Sequence, residues 1–302
     1  MNLLSRILYD MVYHTTPILL CVLGGLFAYK AGVLNIALEG MMLAGAFIAV
    51  FVATQTQNSL LIYLSALLIC AVLGIVFAFF SVNKKGNVII IGLAINMLVP
   101  AIAAFILQFL GVPNFTAKWV NPVNFRIDIP LIKDIPYLGS ILSGHPLGTY
   151  IGLVMIFVAS VILYKTRFGI YTRVIGESPN AATSLGIQAN KYATWAIIIG
   201  ALCSAVAGLN LSFERLGIFT NGMTAGRGFI AIAAIYCGKG KPVQSAIYAF
   251  IFGLARSLAI NLSVFAGSIS ALFDIIPYLL MIVILAINSG YQIRNYRMRT
   301  YW

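Results

Sequence analysis

The sequence predicts an all-α, polytopic membrane protein with about nine transmembrane helices, and two observations support this fold class. The 302 residues are 61% hydrophobic and 9% charged, and their mean hydropathy is +1.00. A soluble domain is roughly 45–50% apolar and about 25% charged. The apolar residues also form runs close to the roughly 20 residues that a helix needs to cross a bilayer core. We therefore expect residues 1–302 to form a single transmembrane domain.

Nine apolar runs are candidate transmembrane helices. The first extends backward into the N-terminal segment. The seventh is too short to cross a bilayer alone, and we expect it to be the second half of a broken helix that begins near Gly222. In chain order the candidates are Pro17–Tyr29, Leu34–Ala53, Leu60–Phe80, Val88–Leu110, Thr149–Tyr164, Tyr192–Leu211, Gly228–Cys237, Val243–Leu262 and Ile269–Ile287.

Basic residues near the ends of the spans predict the orientation of the chain. Lys and Arg number 19 against 7 acidic residues, and cytoplasmic loops of membrane proteins carry an excess of Lys and Arg. With nine spans, five basic groups fall on one side. This places the N-terminus outside, the C-terminus inside, residues 111–148 in an external loop and residues 165–191 in a cytoplasmic loop. The groups are Lys30; Lys84 and Lys85; Lys165, Arg167, Arg173 and Lys191; Lys239 and Lys241; and Arg294, Arg297 and Arg299.

The composition also argues against nucleic-acid, metal and cofactor binding. The basic residues are spread between apolar runs rather than gathered on one surface, so nucleic acid is not an expected partner. The four cysteines lie within or at the ends of apolar runs without a CxxC pair. His14 and His145 are isolated from each other and from any carboxylate cluster. We expect no metal site and no cofactor in this chain.

A ten-residue match predicts an inverted repeat with broken helices. Residues 40–49 (Gly-Met-Met-Leu-Ala-Gly-Ala-Phe-Ile-Ala) and residues 222–231 (Gly-Met-Thr-Ala-Gly-Arg-Gly-Phe-Ile-Ala) are identical at five of ten positions. In the predicted topology the two segments run in opposite directions, which is the geometry of an inverted-topology repeat. The repeat halves would be residues 17–110 and 192–288. The alternative is chance recurrence of these residue types in an apolar chain.

Polar residues beside the repeated segments are the candidates for a substrate pathway. Glu39 and Asn221 each precede a Gly-Met pair, and a carboxylate within a span usually faces a cavity or a partner. Asn35 and Glu39 are four residues apart, so we expect them to share a helix face. The candidates are Asn35, Glu39, Gly40, Asn96, Asn221 and Gly222.

Two of these candidates have structural alternatives. Glu39 could form an ion pair with Lys30 or Arg227 that only stabilises the bundle. A lone asparagine in a span, such as Asn96, more often joins neighbouring helices by hydrogen bonds.

The predicted cytoplasmic loop contains a short helix suited to docking. Ser178 can cap a helix that starts at Pro179, because serine accepts hydrogen bonds from free amides and proline suits the first helical position. Gly186 would end this helix after about two turns. Ala182 and Leu185 would give it an apolar surface for a protein partner. An ordinary helix between two spans is the alternative.

This loop is similar to the coupling loop of a known family. Arg173-Val-Ile-Gly-Glu-Ser-Pro-Asn180 resembles the corresponding stretch in the branched-chain amino acid and simple-sugar permease family of ABC importers, although Ser178 stands where asparagine is usual. Residues 32–42 and 223–231 resemble signatures of the nucleoside-type branch of that family. The resemblance covers about residues 17–285, nearly the whole chain.

The resemblance implies a transmembrane permease that imports a small polar solute, of the nucleoside type, through the cytoplasmic membrane. The implied partners are an ABC ATPase subunit, a second and related permease chain, and an external solute-binding lipoprotein. The implied ATPase-coupling residues are Gly176, Glu177, Ser178, Pro179, Asn180, Ala181, Ala182 and Leu185. The chain has no Gly-x-x-x-x-Gly-Lys-Ser/Thr phosphate-binding loop, so ATP and Mg²⁺ are expected on the ATPase and the chain is not an enzyme.

Two other classes of function compete with this interpretation. A proton-coupled secondary transporter would use Glu39 or Asp274 to carry its proton, but such a carrier does not need a structured basic docking loop. An intramembrane enzyme would need paired carboxylates or a nucleophile and base at one-turn spacing in a span, and the sequence offers neither.

Overall fold

The structure is a computed structural model that describes residues 3–129, 138–263, 270–273 and 275–287. These residues form mainly helices, two of which end in a π-helical turn, at Phe79–Asn83 after α3 and Asn210–Glu214 after α9. The helices are α1 Leu3–Lys30, α2 Leu38–Gln55, α3 Ser59–Ala78, α4 Val88–Phe109, α5 Leu138–Leu142, α6 Leu147–Lys165, α7 Arg167–Glu177, α8 Pro179–Ser184, α9 Ala189–Leu209, α10 Arg227–Cys237, α11 Pro242–Ser263, α12 Ser270–Phe273 and α13 Ile276–Ile287.

Seven helices in the described part of the chain are long and apolar enough to cross a membrane: α1, α2, α3, α4, α6, α9 and α11. The protein is therefore a multi-pass membrane protein with an all-α transmembrane domain. The other two predicted spans correspond to shorter apolar helices, α10 and α13, so the number nine is not confirmed. The seventh predicted span, α10, is short as expected, with 11 residues, but residues 221–226 form turns and not the first half of a broken helix near Gly222.

The helices α1 and α9 form the centre of the bundle. In each of them 83% of the most apolar window is buried, compared with 22% in α4 and 28% in α3 and α6. Helices whose apolar faces remain exposed are suited to contact lipid or another membrane chain, since lipid tails are as apolar as leucine. The outer helices α3, α4 and α6 are therefore both less buried and more apolar than the central helices α1 and α9.

The two predicted repeat halves pack reciprocally. Helix α1 packs against α10 and α11, helix α9 packs against α2 and α3, and α1 and α9 pack against each other. Small residues allow this close approach: a Cβ atom on Gly24 would lie 2.4 Å from Cys203 Cβ, and one on Gly45 would lie 2.9 Å from Ala205 Cα. Glycine at helix contacts is typical of membrane bundles. The first helix of each half thus packs on the second and third helices of the other.

The two ends of the bundle differ in the residues that they carry. At one end, Lys30 at the close of α1 lies near Arg173, Glu177 and Lys241, and its ammonium donates to Lys239 O at 3.4 Å. The opposite end carries the predicted external loop. Trp119 donates there to the carbonyl of Ala53 near the end of α2.

One short strand pair holds the predicted external loop to the bundle, and a second closes the loop on itself. Strand β1 (Phe115–Thr116) pairs antiparallel with β4 (Ile218–Phe219), which lies between α9 and α10. Strand β2 (Arg126–Ile127) pairs antiparallel with β3 (His145–Pro146), which precedes α6. Part of this loop is therefore joined by backbone pairing to the segment that leads into α10.

Candidate functional site

Two interrupted elements meet inside the bundle. After α1 ends at Lys30, residues 31–37 leave the helical conformation and α2 begins at Leu38. The turns before α10 include Gly222, Ala225 and Gly226, all with positive φ. The two helix starts touch, since a Cβ atom on Gly228 would lie only 2.5 Å from Glu39 N. Two partially positive helix N-termini are thus placed against each other.

Glu39 joins the two helix starts. Its Oε1 accepts from Gly226 N at 2.8 Å and its Oε2 accepts from Gly228 N at 2.6 Å. Gly226 is the N-cap residue of α10 and has no side chain to cap the helix. The carboxylate of α2 therefore supplies the cap for α10, at a helix end where negative charge is favourable.

The candidate ion-pair partners of Glu39 make other contacts. Arg227 Nη1 donates to Met223 O at 2.8 Å and Thr224 O at 3.0 Å. The Lys30 ammonium donates to a carbonyl at the end of the bundle. The hydrogen bonds of Glu39 are thus made to backbone amides, which the sequence did not indicate, and its charge also interacts with that of Arg227.

Asn96 of α4 clamps the beginning of α2. Its Nδ2 donates to Ile36 O at 2.8 Å, and its Oδ1 accepts from Gly40 N at 2.7 Å. A Cβ atom on Gly40 would lie 2.9 Å from that same Oδ1 and 3.0 Å from Ile95 O, so the absence of a side chain permits this contact. Asn96 is therefore a hydrogen-bonding link between helices at the site where α2 starts.

Asn35 lies before α2 rather than on it. It is buried, and its Oδ1 accepts from Ala37 N at 3.0 Å, closing a local turn. The expectation that Asn35 and Glu39 share a helix face was wrong, because the helix begins only at Leu38. Asparagine bonds readily to backbone two residues on, and this favours a turn over a helix.

Asn221 and Gly222 lie in the turns before α10. Asn221 is exposed, and its Nδ2 donates to Pro100 O of α4 at 3.3 Å. Pro100 is four residues beyond Asn96, so α4 carries a link to each of the interrupted elements. A Cβ atom on Gly222 would meet nothing within 4 Å, and its φ of +77° favours glycine. All six pathway candidates thus surround the same two breaks.

A buried polar cluster at the opposite end was not predicted from the sequence. Glu214, in the π-helical turn after α9, is fully buried. It accepts from the Tyr63 hydroxyl, from Asn210 Nδ2 at 2.7 Å and from Gly148 N at 3.1 Å. The four-residue spacing of Asn210 and Glu214 at the end of an apolar run was the available signal. The cluster joins α3, α6 and α9 around one carboxylate.

Two basic side chains lie near this cluster, one charged and one neutral. The Arg215 guanidinium lies 3.7 Å from the Tyr13 ring centroid and donates to Tyr13 O. Burial lowers the pKa of Arg215 to about 10, which leaves it protonated at neutral pH. His145 stacks on Tyr9 with ring centroids 4.2 Å apart, and burial lowers the pKa of His145 to about 4, which keeps it neutral.

The described residues show no group of three His, Cys, Asp or Glu side chains that could hold a metal. Asp274, the other candidate proton carrier, lies outside the described residues, as do Arg294, Arg297 and Arg299.

The predicted docking helix is present as α8. Ser178 Oγ accepts from Ala181 N at 3.4 Å, and Gly186 follows with a φ of +75°. Leu185 is 74% exposed, and so it can contact a partner, but Ala182 is fully buried. The prediction that Ala182 contributes to an apolar docking surface was wrong, because its side chain lies on the buried side of α8. The other coupling candidates are exposed, and they are Gly176, Glu177, Ser178, Pro179, Asn180 and Ala181.

The end of α7 rests on the end of α1. A Cβ atom on Gly176 would lie 2.2 Å from Lys30 O and 3.0 Å from Gly32 N. Only glycine permits two backbones to approach this closely. The predicted coupling loop therefore contacts the chain at the point where the chain leaves α1 for the break before α2.

A solved structure shares this fold. An inward-facing metal-chelate type ABC transporter superposes with a TM-score of 0.54 at 15% identity, over 94% of this chain and 85% of the other. At this identity the likeness concerns the fold alone. The bundle thus shares its fold with a chain of that transporter.

Sequence comparison then identifies the family. Residues 7–285 match the family described as the branched-chain amino acid transport system permease component, and the chain belongs to this family. The nucleoside ABC transporter permease protein NupC of Lactococcus lactis is 31% identical over 96% of this chain and 94% of its own length. The guanosine ABC transporter permease protein NupQ of Bacillus subtilis is 32% identical over 93% of this chain and 89% of its own length.

The chain is therefore the transmembrane permease subunit of an ATP-binding-cassette importer. It is a transport subunit rather than an enzyme, and ATP hydrolysis belongs to a separate subunit. Family membership excludes the alternative of a proton-coupled secondary transporter that uses Glu39 or Asp274.

Proposed function

We propose that this permease imports nucleosides across the cytoplasmic membrane. It would work beside a second, related permease chain, ATPase subunits that bind ATP and Mg²⁺, and an external solute-binding lipoprotein. The support is the near full-length similarity to the nucleoside and guanosine permeases. Nucleosides are neutral and polar, and so they suit a path with amide side chains and few free charges.

The proposed orientation has the N-terminus outside and the C-terminus in the cytoplasm. Lys30, Arg173, Lys239 and Lys241 lie at one end of the bundle, and an excess of Lys and Arg marks the cytoplasmic side. The coupling loop of residues 165–191 lies at that same end. The external loop of residues 111–148 would then face the lipoprotein.

The proposed substrate pathway passes the facing starts of α2 and α10. Broken helices in corresponding halves of an inverted repeat are the typical position of a substrate site in transporters. The reciprocal packing of α1 and α9 supports assignment of the halves to residues 17–110 and 192–288. Asn35, Asn96 and Asn221 would line the pathway, and Gly40 and Gly222 would let backbone approach the solute. Glu39 would hold the two halves of the site together.

One observation carries the mechanism: the contact of Gly176 with Lys30 O and Gly32 N. A partner that presses on the exposed Glu177 and Leu185 would displace the end of α7, and this contact would pass the displacement to the break before α2. Because Glu39 bonds α2 to α10, both broken helices would move together. Alternating access then follows from rocking of the two halves.

The test is uptake of radiolabelled guanosine by proteoliposomes that hold the full transporter and its binding lipoprotein, with ATP on the ATPase side. Leu185→Asp should abolish ATP-dependent uptake while the complex still assembles, because the substitution places a charge on an exposed docking surface. Leu185→Met is the matched control and should retain uptake. Unchanged uptake by Leu185→Asp would refute the coupling assignment, and uptake of sugars or branched-chain amino acids without nucleosides would refute the solute.

A further inference from the structure

A groove of about 760 Å³ opens between α11 and α13, away from the two interrupted elements. Lys239 and Lys241 line its mouth, and both are exposed in the turn that precedes α11. Ile247 and Ile251 are four residues apart and so lie on one face of α11. The groove therefore has a cationic end and an aliphatic wall.

The dimensions of the groove fit one leaflet of a membrane. From the start of α11 at Pro242 to Ile251 the helix rises about 14 Å at 1.5 Å per residue. Half of the hydrocarbon core is roughly 15 Å thick. On α13, Ile284 and Ile287 continue the aliphatic wall on the other side. A molecule that fits would carry negative charge at the cytoplasmic surface and hydrocarbon over the length of one leaflet.

Charge complementarity argues against a second copy of this chain as the occupant. The whole sequence contains seven acidic residues against nineteen basic ones. Two of the seven, Glu39 and Glu214, accept hydrogen bonds inside the bundle. A second copy could therefore offer few carboxylates to the two lysines. A neutral nucleoside would likewise leave the lysines without a counter-charge and the isoleucines without an apolar partner.

We infer that this groove binds one anionic phospholipid of the cytoplasmic leaflet. The phosphodiester lies beside Lys239 and Lys241, and an acyl chain lies along Ile247, Ile251 and Ile284. Clusters of basic residues at the cytoplasmic membrane surface attract anionic lipids. The inference rests on the proposed orientation, but lipid binding is measured without transport, so the failure of either idea can be recognised separately.

The test uses the full chain in detergent micelles with phosphatidylglycerol that carries a photoactivatable acyl chain. Mass spectrometry should map the crosslinks to peptides with Ile247–Ile251 and Ile284–Ile287. Unlabelled phosphatidylglycerol should compete, whereas phosphatidylcholine and inorganic phosphate should not. Lys239→Gln with Lys241→Gln should weaken phosphatidylglycerol competition about thirtyfold, because each basic residue near the membrane surface contributes about fivefold to anionic lipid binding.

The matched control is Lys84→Gln with Lys85→Gln, which removes an exposed basic pair outside the groove and should leave labelling unchanged. Ile247→Trp fills the groove while both lysines remain, and it should also reduce labelling. This second variant separates a loss of lipid binding from misfolding of the lysine variant. Equal loss in both lysine pairs, equal competition by phosphatidylcholine, or crosslinks spread over all outer helices would overturn the inference. So would crosslinking of Ile247→Cys between two copies of the chain.

Discussion

At the scale of single residues, the interior is organised by polar groups that bond to backbone at helix starts. Glu39 and Asn96 could be found in the sequence, because each is a polar residue within an apolar run. Their partners could not be found. Gly226 and Gly228 lie far from Glu39 in sequence, and only the packed bundle brings them together. A hydropathy pattern shows which polar residues lie within apolar runs, but it does not show which backbone atoms form hydrogen bonds with them.

Glu39→Gln should destabilise the protein by about 1–2 kcal/mol, since a charged acceptor of two backbone hydrogen bonds is replaced by a neutral one with a single acceptor oxygen. The measurement is the midpoint of thermal unfolding in detergent. Glu177→Gln is the control, because Glu177 is exposed at the end of α7 and should leave the midpoint unchanged. Equal midpoints for Glu39→Gln and the unmodified protein would show that Glu39 does not hold α10 to α2.

At the scale of elements, the sequence predicted the broken helix and the docking helix but not their limits. A short apolar run correctly indicated that α10 is too short to cross a bilayer alone. The turns with positive φ at Ala225 and Gly226 decide where it begins. Similarly, Ser178 and Pro179 predicted the start of α8, whereas the inward face of Ala182 depends on how the loop folds back on itself. Start signals are local, but the direction in which a helix faces is set by tertiary packing.

Gly176→Val should reduce coupled uptake by roughly tenfold, in line with the coupling energies that contacts of this kind carry. The new side chain cannot fit against Lys30 O, so α7 must shift away from the end of α1. Nucleoside uptake and ATPase stimulation by the loaded lipoprotein are the readouts, with assembly checked by co-purification. Ile170→Val, on the exposed side of the same helix, is the control and should retain both activities. Full coupling in Gly176→Val would remove this contact from the mechanism.

At the scale of the whole molecule, composition was sufficient to predict a polytopic bundle, and the family followed from three short motifs. The number of spans could not be fixed, because hydropathy measures the length of apolar runs and not the positions of breaks within them. The buried Glu214 cluster was missed for a related reason. Its partner Tyr63 belongs to a different helix, so no local sequence pattern could predict the hydrogen bond between Tyr63 and Glu214.

The proposed orientation predicts opposite accessibility for two exposed positions. Val123→Cys should react with a membrane-impermeant maleimide on intact cells, whereas Lys84→Cys should react only after permeabilisation. Cys21, Cys70 and Cys237 are buried, and Cys203 is partly buried, so background labelling should be low. The unsubstituted chain is the control. The reverse pattern would invert the topology.

The pairing of β1 with β4 attaches the segment before α10 to the predicted external loop, at one end of the bundle. Displacing Phe115 displaces Phe219, which lies a few residues before α10, because their strands share backbone hydrogen bonds. On the opposite side, Gly176 touches the chain a few residues before α2. In the proposed mechanism, binding of the loaded lipoprotein would therefore act on the segment before α10, and ATP hydrolysis would act on the segment before α2. Glu39 links the two, because it hydrogen-bonds α2 to the start of α10.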